Sequence, residues 1–151
     1  GASGYAPRMP DVEMLHSSQF IARLIKDGRL RPKTLEMTVT YHDPCDLGRN
    51  SGVYRAPREV IASVPGLTLK EPPATAERAH CCGGGGDLEI VDAGLARDVS
   101  LASYYALLKG GAEAIITACP QCTRMFRASA QKSDHKVDVL DLTELILKTI
   151  E

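Results

Sequence analysis

Apolar and polar positions follow two different periods along the chain, and these periods predict short strands separated by amphipathic helices. Runs that are rich in β-branched residues or continuously apolar favour strands at residues 35–42, 67–71, 114–118 and 137–140. Helical spacing of apolar positions marks residues 11–26, 57–64, 87–109, 120–129 and 142–150. Because strands that alternate with helices are typical of parallel sheets, we expect a single α/β domain, with a parallel sheet of about four strands flanked by helices.

Local signals refine the ends of the predicted helices. Asp11 is a candidate N-cap for the first helix, and Gly28 is a candidate residue just beyond its end. His16 falls within this predicted helix, where a partly exposed position is favoured over a functional one. Gly94 lies inside the predicted helix at 87–109 and is expected to weaken or kink it.

Length and charge exclude several classes of protein. A chain of 151 residues fits one domain, and its formal net charge is −1. No cluster of lysine and arginine stands out, so nothing indicates a nucleic-acid partner. No apolar run approaches the roughly 20 residues that span a bilayer. The start has no signal-peptide pattern, and an odd number of cysteines argues for a reducing compartment, so we expect a cytoplasmic protein.

The sequence HCCGGGG at residues 80–86 is the most unusual stretch of the chain. Two adjacent thiols can face one centre only if the backbone turns sharply, and glycine permits such a turn. A glycine run also exposes backbone N–H groups, which suit an anion such as a thiolate-ligated cluster. A flexible glycine loop beside two buried cysteines explains this stretch alone equally well.

The remaining cysteines lie on two other predicted loops. The chain has five in all, namely Cys45, Cys81, Cys82, Cys119 and Cys122. Cys45 and Cys81 are 36 positions apart, and Cys82 and Cys119 are 37 positions apart. Such similar intervals indicate two similar supersecondary units, each of which returns the chain to the same end of the sheet. Since ligands of open α/β sheets bind at the carboxyl ends of the strands, this placement predicts a thiolate site there.

Several chemistries are compatible with such a site. Thiolates are soft ligands that select iron–sulfur clusters, zinc or copper(I). Structural zinc takes four ligands, so five cysteines favour a multinuclear cluster, although zinc could use four of the five. A thiol–disulfide site in the CxxC sequence of Cys119 and Cys122 is another alternative. The remaining alternative is that all five cysteines are structural and bind no ligand.

These motifs together resemble the cysteine-rich CCG domain of the heterodisulfide reductase family. The matching segments are YHDPCDLGR at 41–49, HCCGGGG at 80–86 and TACPQC at 117–122, and the resemblance covers residues 38–147. Relatives include iron–sulfur subunits of glycolate oxidase, lactate-utilisation and anaerobic glycerol-3-phosphate oxidation systems. The resemblance implies a [4Fe–4S]-type cluster on the five cysteines, which in heterodisulfide reductase itself is noncubane.

The resemblance also implies a larger assembly. Relatives usually carry two such repeats, or one repeat after a ferredoxin-like domain, whereas this chain has one repeat and no CxxCxxCxxxCP motif. It is therefore expected to be the C-terminal part of a longer protein, with the domain at 11–151 and a tag remnant and irregular start at 1–10.

The expected partners are the ferredoxin-like domain or first CCG half of the same protein, and a flavoprotein or other redox subunit. The function implied is an oxidoreductase domain that is inactive alone, in the cytoplasm or at the cytoplasmic face of a membrane complex. A zinc-binding structural or docking module is the alternative.

Polar residues beside the cysteine loops have two interpretations each. His42 and His80 could donate to cluster sulfur or substrate, or be ordinary loop histidines bonded to the backbone. Asp43 could neighbour the cluster or cap its loop, and the capping role is favoured. Arg49 and Arg55 could contact an anionic substrate or partner, or be ordinary surface arginines.

Overall fold

Four parallel strands form the centre of the computed structural model, which describes residues 12–150. The strands are β1 (Met37–His42), β2 (Leu67–Leu69), β3 (Ala114–Thr117) and β4 (Asp138–Asp141). Their order across the sheet is β2-β1-β3-β4, and every neighbouring pair is parallel. Val39 of β1 lies opposite Leu69 on one side and Ala114 on the other. The predicted α/β fold with a parallel sheet is confirmed.

Helices cover both faces of this sheet. They are α1 (Ser17–Lys26), α2 (Arg55–Ala62), α3 (Leu88–Val91), α4 (Ala93–Leu108), α5 (Pro120–Lys132) and α6 (Leu142–Ile150). One apolar core joins α1, α2 and α6 to the face that carries Ile116, and a second core joins α4 and α5 to the face that carries Ile115. Strand β3 is buried on both faces, which explains why its sequence is continuously apolar. Within residues 12–150, no helix is long and apolar enough to cross a membrane.

The first helix begins later than the sequence pattern indicates. The predicted tag remnant and irregular start at 1–10 and the predicted N-cap Asp11 lie outside the described residues. Within the described part, the helix begins at Ser17, so its predicted start is wrong. His16 is the N-cap, because its backbone is extended and its ring Nδ1 accepts the N–H of Ser18 at 3.2 Å.

The predicted helix at 87–109 is interrupted at Asp92. The backbone of Asp92 is not helical, and its carboxylate accepts the N–H of Leu95 at 2.9 Å, which starts a new helix. Gly94, where a kink is predicted, instead lies inside α4. A π-helical turn at Asp46–Asn50 has no counterpart in the sequence prediction.

Candidate metal-cluster site

The three cysteine loops meet at the carboxyl edge of the sheet. Cys45 follows β1 and Cys119 follows β3, and the last residues of these neighbouring strands, His42 and Thr117, lie opposite each other. The loop that carries Cys81 and Cys82 comes between β2 and α3 and is tied to this edge. The carbonyl of His80 accepts a hydrogen bond from the ring of His42 at 3.1 Å. The predicted convergence of three loops at one end of the sheet is therefore present in the backbone.

Three thiols, those of Cys82, Cys119 and Cys122, form the centre of the site, and we call them the thiol trio. Cys82 and Cys122 are buried, and Cys119 is half-buried at the start of α5. The thiol of Cys122 donates to the sulfur of Cys82 at 3.2 Å. Two loops that are 40 positions apart in sequence thus place their sulfurs in direct contact.

The thiol trio favours negative charge on two of its sulfurs. The Cys122 thiol, as a hydrogen-bond donor, lowers the pKa of Cys119 to about 6, and the N–H groups of Cys122 and Gln121 at the helix start add to this effect. The same thiol lowers the pKa of Cys82 to about 7, with help from the N–H of Gly84. In return, donation to these two sulfurs and burial raise the pKa of Cys122. Because Cys122 has a single S–H proton, it donates to one of these sulfurs at a time, and each of the two can become the thiolate beside a protonated Cys122.

The other two cysteines stay outside the thiol trio. Cys45 and Cys81 are exposed on their loops, and the sulfur of Cys81 accepts the N–H of Gly83 at 3.3 Å. Between residues 12 and 150, no group of three or more histidine, cysteine, aspartate or glutamate side chains has the geometry of a metal-ion site. The structure thus brings three of the five predicted ligands together, and the five-cysteine ligand set stays a prediction.

The glycine run allows the loop to pack against two helices. Gly83 has a φ of +79°, and a Cβ there would collide with the carbonyl oxygen of Ala96 in α4. A Cβ on Gly84 would collide with the side chains of Met125 and Gln121 in α5. Because only glycine permits this approach, the loop can bring Cys82 and backbone N–H groups to the start of α5. Thiols with lowered pKa values beside backbone N–H donors fit a soft, thiolate-ligated cluster.

His42 links the two central strands to the cysteine loop. It is buried, with Nδ1 3.2 Å from the Thr117 hydroxyl and Nε2 3.1 Å from the carbonyl of His80. Burial lowers the pKa of His42 to about 4, so the ring is neutral at pH 7. Since a carbonyl only accepts, Nε2 carries the proton and Nδ1 accepts from Thr117. His42 is therefore bonded to the backbone, while His80 is exposed.

Asp43 holds the loop after β2 against the end of β1, as expected for a capping residue. Its carboxylate accepts the N–H of Ala76 at 2.8 Å and a two-pronged ion pair from Arg58, with both distances 2.8 Å. Arg58 also binds Glu71 at 2.6 Å. Burial acts to raise the pKa of Asp43, but the hydrogen bonds from Arg58, Ala76 and Thr75 outweigh it and lower the pKa.

Sequence reasoning missed two residues that position the site. Arg58 is one, and its surroundings in an amphipathic helix give no signal of its role. Gln121 is the other: its side-chain amide donates to the carbonyl of Gly84 at 2.7 Å and so fixes the glycine run. Its place between the two cysteines of CxxC is the only signal that could have indicated it. Of the predicted arginines, Arg49 donates to the carbonyl of Ala79 at 3.1 Å, and Arg55 pairs with Glu59 on the surface.

Known proteins with similar sequences support this description of the site. The chain is 33% identical over 139 residues to one subunit of the dihydromethanophenazine:CoB–CoM heterodisulfide reductase of Methanosarcina barkeri, covering 91% of this chain and 34% of that protein. It is 33% identical over 141 residues to a probable iron-sulfur-binding oxidoreductase FadF of Bacillus subtilis, covering 91% and 20%. For the EtfAB:quinone oxidoreductase of Syntrophomonas wolfei the identity is 32% over 149 residues, covering 92% and 21%.

These relatives are named as oxidoreductases or as subunits of oxidoreductases, and the chain spans about a fifth to a third of their length. The family described as "Cysteine-rich domain", named CCG, matches residues 39–127, a segment that includes all five cysteines. That match covers more than half of the chain, from the buried strand β1 to the helix that presents Cys122. The protein therefore belongs to the cysteine-rich CCG domain family.

Proposed function

We propose that this domain binds a [4Fe–4S]-type iron–sulfur cluster and transfers electrons within a heterodisulfide-reductase-like oxidoreductase. Its ligands would be the five cysteines, Cys45, Cys81, Cys82, Cys119 and Cys122. The observation that carries this proposal is the thiol trio, in which the sulfurs of Cys82 and Cys122 are in contact beside the start of α5. Two thiols with lowered pKa values are already suited to soft metal ions.

The residues around the thiol trio would set the properties of the site. An iron–sulfur cluster gains and loses single electrons at a potential that hydrogen bonds to sulfur and solvent exposure adjust. The N–H groups of Gly84, Gln121 and Cys122 stabilise negative charge on sulfur, and helices α4 and α5 keep water from one side. Cys45 and Cys81 are exposed, and their side of the site would face a redox partner.

The redox partners of the domain belong to the same proposal. Relatives carry names such as EtfAB:quinone oxidoreductase and heterodisulfide reductase, and each of these chains is several times longer than this one. We infer that the domain works beside a ferredoxin-like domain or a first CCG half, and that a flavoprotein or other redox subunit exchanges electrons with it. Thiols that must stay reduced to bind iron support a cytoplasmic setting.

Metal analysis tests the cofactor directly. The chain would be produced and purified without oxygen, and its iron, acid-labile sulfide and zinc content would be measured together with its visible absorption. We expect iron and sulfide in similar amounts and a broad thiolate-to-iron absorption band. A colourless protein with about one zinc per chain would overturn the iron–sulfur assignment and support a structural or docking module.

Two serine variants test the ligand set. Cys82→Ser should lose the cluster, because this buried thiol contacts Cys122 and cannot be replaced without moving the glycine run. Cys45→Ser should be milder, since this residue is exposed and lies outside the thiol trio. Iron content and thermal melting of both variants give the answer. Equal losses would contradict the ranking and indicate that all the thiolates act as one unit.

A further inference from the structure

The short helix that follows the cysteine loop carries the most exposed large apolar side chains of residues 12–150. Ile90 and Val91 of α3 are 84% and 83% exposed, whereas the next such residue, Leu147, is 52% exposed. Leu95, in the first turn of α4, is also exposed. We call Ile90, Val91 and Leu95 the α3 patch. Single exposed apolar residues are common, but a group of them marks an interaction surface.

The α3 patch is held beside the thiol trio. Leu88 of α3 packs against the core that α4 and α5 share, which leaves the patch on the outer side. Glu89 of α3 accepts a hydrogen bond from the side-chain amide of Gln121 at 3.2 Å and pairs with Arg124. Because Gln121 lies between the two cysteines of the CxxC sequence, a molecule that covers the patch would lie next to the proposed cluster site.

The segment that carries the patch is acidic. Residues 87–98 contain four acidic side chains and one basic side chain, although the formal net charge of the whole chain is only −1. The acidic residues are Asp87, Glu89, Asp92 and Asp98, and the basic one is Arg97. Such a rim attracts a partner that carries lysine or arginine around its own apolar surface. It repels an anionic membrane surface.

Size and charge argue against a second copy of this chain as the occupant. Three aliphatic side chains expose a few hundred Å² at most, whereas a stable interface buries about 1,200–2,000 Å². In a twofold dimer the patch would also meet itself, so that one acidic rim would face another. Small contacts of this kind are typical of transient redox complexes.

We propose that the α3 patch is the docking surface for the redox partner of this domain, a protein whose contact surface is apolar at its centre and rimmed by lysine or arginine. The proposal rests on the proposed function, which makes the partner a redox protein. Ile90 and Val91 would contact the apolar centre, and the acidic side chains would steer the approach. Binding would be weak and would weaken further as salt rises, because exposed charges are screened.

Cytochrome c is the probe, because this small redox protein presents an apolar haem edge rimmed by lysines. The whole chain, purified without oxygen, would be titrated with reduced cytochrome c, which takes no electrons from the thiols, and amide chemical shifts would be followed by NMR. We expect saturable shifts at residues 87–98 at about 10 mM salt and their loss at about 0.5 M salt. Ile90→Ser and Val91→Ser should each weaken binding about three- to tenfold. Leu147→Ser, at an exposed apolar position of α6, is the matched control and should leave binding unchanged.

A second pair of variants tests the acidic rim. Asp87→Asn should weaken binding about two- to fivefold at low salt and reduce its salt dependence, and asparagine tolerates the φ of +63° at this position. Asp134→Asn removes an exposed carboxylate just beyond the far end of α5 and should change neither.

The docking proposal and the proposed function fail in different ways. If the chain holds zinc, cytochrome c should still bind at the α3 patch, but the chain will not pass electrons to oxidised cytochrome c, so the docking surface stands and the proposed function falls. Absence of saturable shifts, or equal effects of Ile90→Ser and Leu147→Ser, would overturn the docking proposal. So would sedimentation or vesicle flotation showing that the patch mediates self-association or membrane binding instead.

Discussion

Single residues decide how the cysteine loops approach the sheet, and Gly83 is the most constrained of them. Its positive φ and its contact with the Ala96 carbonyl leave no room for a side chain. His42 supplies the complementary restraint, because it ties the carbonyl of His80 to the ends of β1 and β3. A backbone that only glycine can adopt and one buried imidazole together fix the position of Cys82.

Gly83→Ala tests the first of these restraints. The added methyl group is expected to lower the free energy of unfolding by about 1–3 kcal/mol, because it strains a left-handed backbone and pushes the loop away from α4. Gly85→Ala is the matched control, since Gly85 is exposed and a Cβ there meets no atom within 4 Å. Urea unfolding without oxygen measures both. Equal effects would show that the close approach at Gly83 is unimportant.

His42 predicts a dependence of stability on pH. Its pKa is lowered to about 4 by burial, below the ordinary value near 6.5, so the unfolded chain binds the extra proton more readily. The stability from the neutral ring is fully present above about pH 6.5 and falls as the pH drops towards 4, by at most about 1.4 kcal/mol per pH unit.

His42→Gln should remove this part of the slope, as measured by urea unfolding between pH 7 and 5. Burial also lowers the pKa of His16, but that contribution is common to both proteins and cancels in the comparison. His135→Gln, at an exposed position, is the control and should keep the wild-type slope. A His42→Gln variant with an unchanged slope would contradict the role of this ring.

At the scale of elements, hydrophobic periodicity predicted which segments are strands and helices, and local side-chain bonds decided where they end. The pattern of apolar residues continues through Asp92, yet its carboxylate caps a new helix and breaks the old one. The ring of His16 likewise starts α1 where the periodicity alone predicts an earlier residue. Such caps depend on a rotamer and a bond, which periodicity does not encode.

Arg58 links three of these elements, and Arg58→Met tests the link. From its position in α2, Arg58 binds Asp43, which follows β1, and Glu71, which follows β2. Removing it leaves a buried carboxylate without its partner, so the free energy of unfolding at pH 7 should fall by about 3 kcal/mol. Arg55→Met is the control, because Arg55 pairs with Glu59 on the surface, where ion pairs contribute little.

The pH dependence of the Arg58→Met variant gives a second readout. In the wild type the pKa of Asp43 is lowered, so the stability from the pair is present above the ordinary aspartate value and lost as the pH falls through the native one. Without Arg58, burial should dominate and raise the pKa. Protonation would then restore stability to the variant as the pH falls from 7 towards 5. A constant difference between the two proteins across this range would contradict the ion-pair explanation.

For the molecule as a whole, the spacing of the cysteines was enough to predict that three loops meet at one sheet edge. Parallel strands separated by similar intervals must return the chain to the same end. The spacing could not predict that Cys82 and Cys122 touch while Cys45 and Cys81 stay exposed. That division depends on how the glycine run packs against α4 and α5, which is a tertiary property.

Metal and fold should therefore be coupled unevenly across the molecule. The sheet has its own core, with β3 buried on both faces, whereas the cysteine loops are held by a few hydrogen bonds and, under the proposed function, by the cluster. Removal of the metal with a chelator, without oxygen, should speed amide exchange strongly at residues 80–86 and 119–122. Exchange in β3 should change little, because its protection comes from packing that needs no metal.

Hydrogen exchange with mass spectrometry of the loaded and metal-free protein measures this directly. The Cys82→Ser variant should show the metal-free pattern even when iron and sulfide are supplied, because it removes a buried member of the thiol trio. Cys45→Ser should show a pattern closer to that of the loaded protein, since its exposed thiol lies outside the trio. If loading slows exchange in β3 as much as in the loops, the cluster stabilises the whole fold rather than its sheet edge. If loading changes neither, the loops are held by their protein contacts alone.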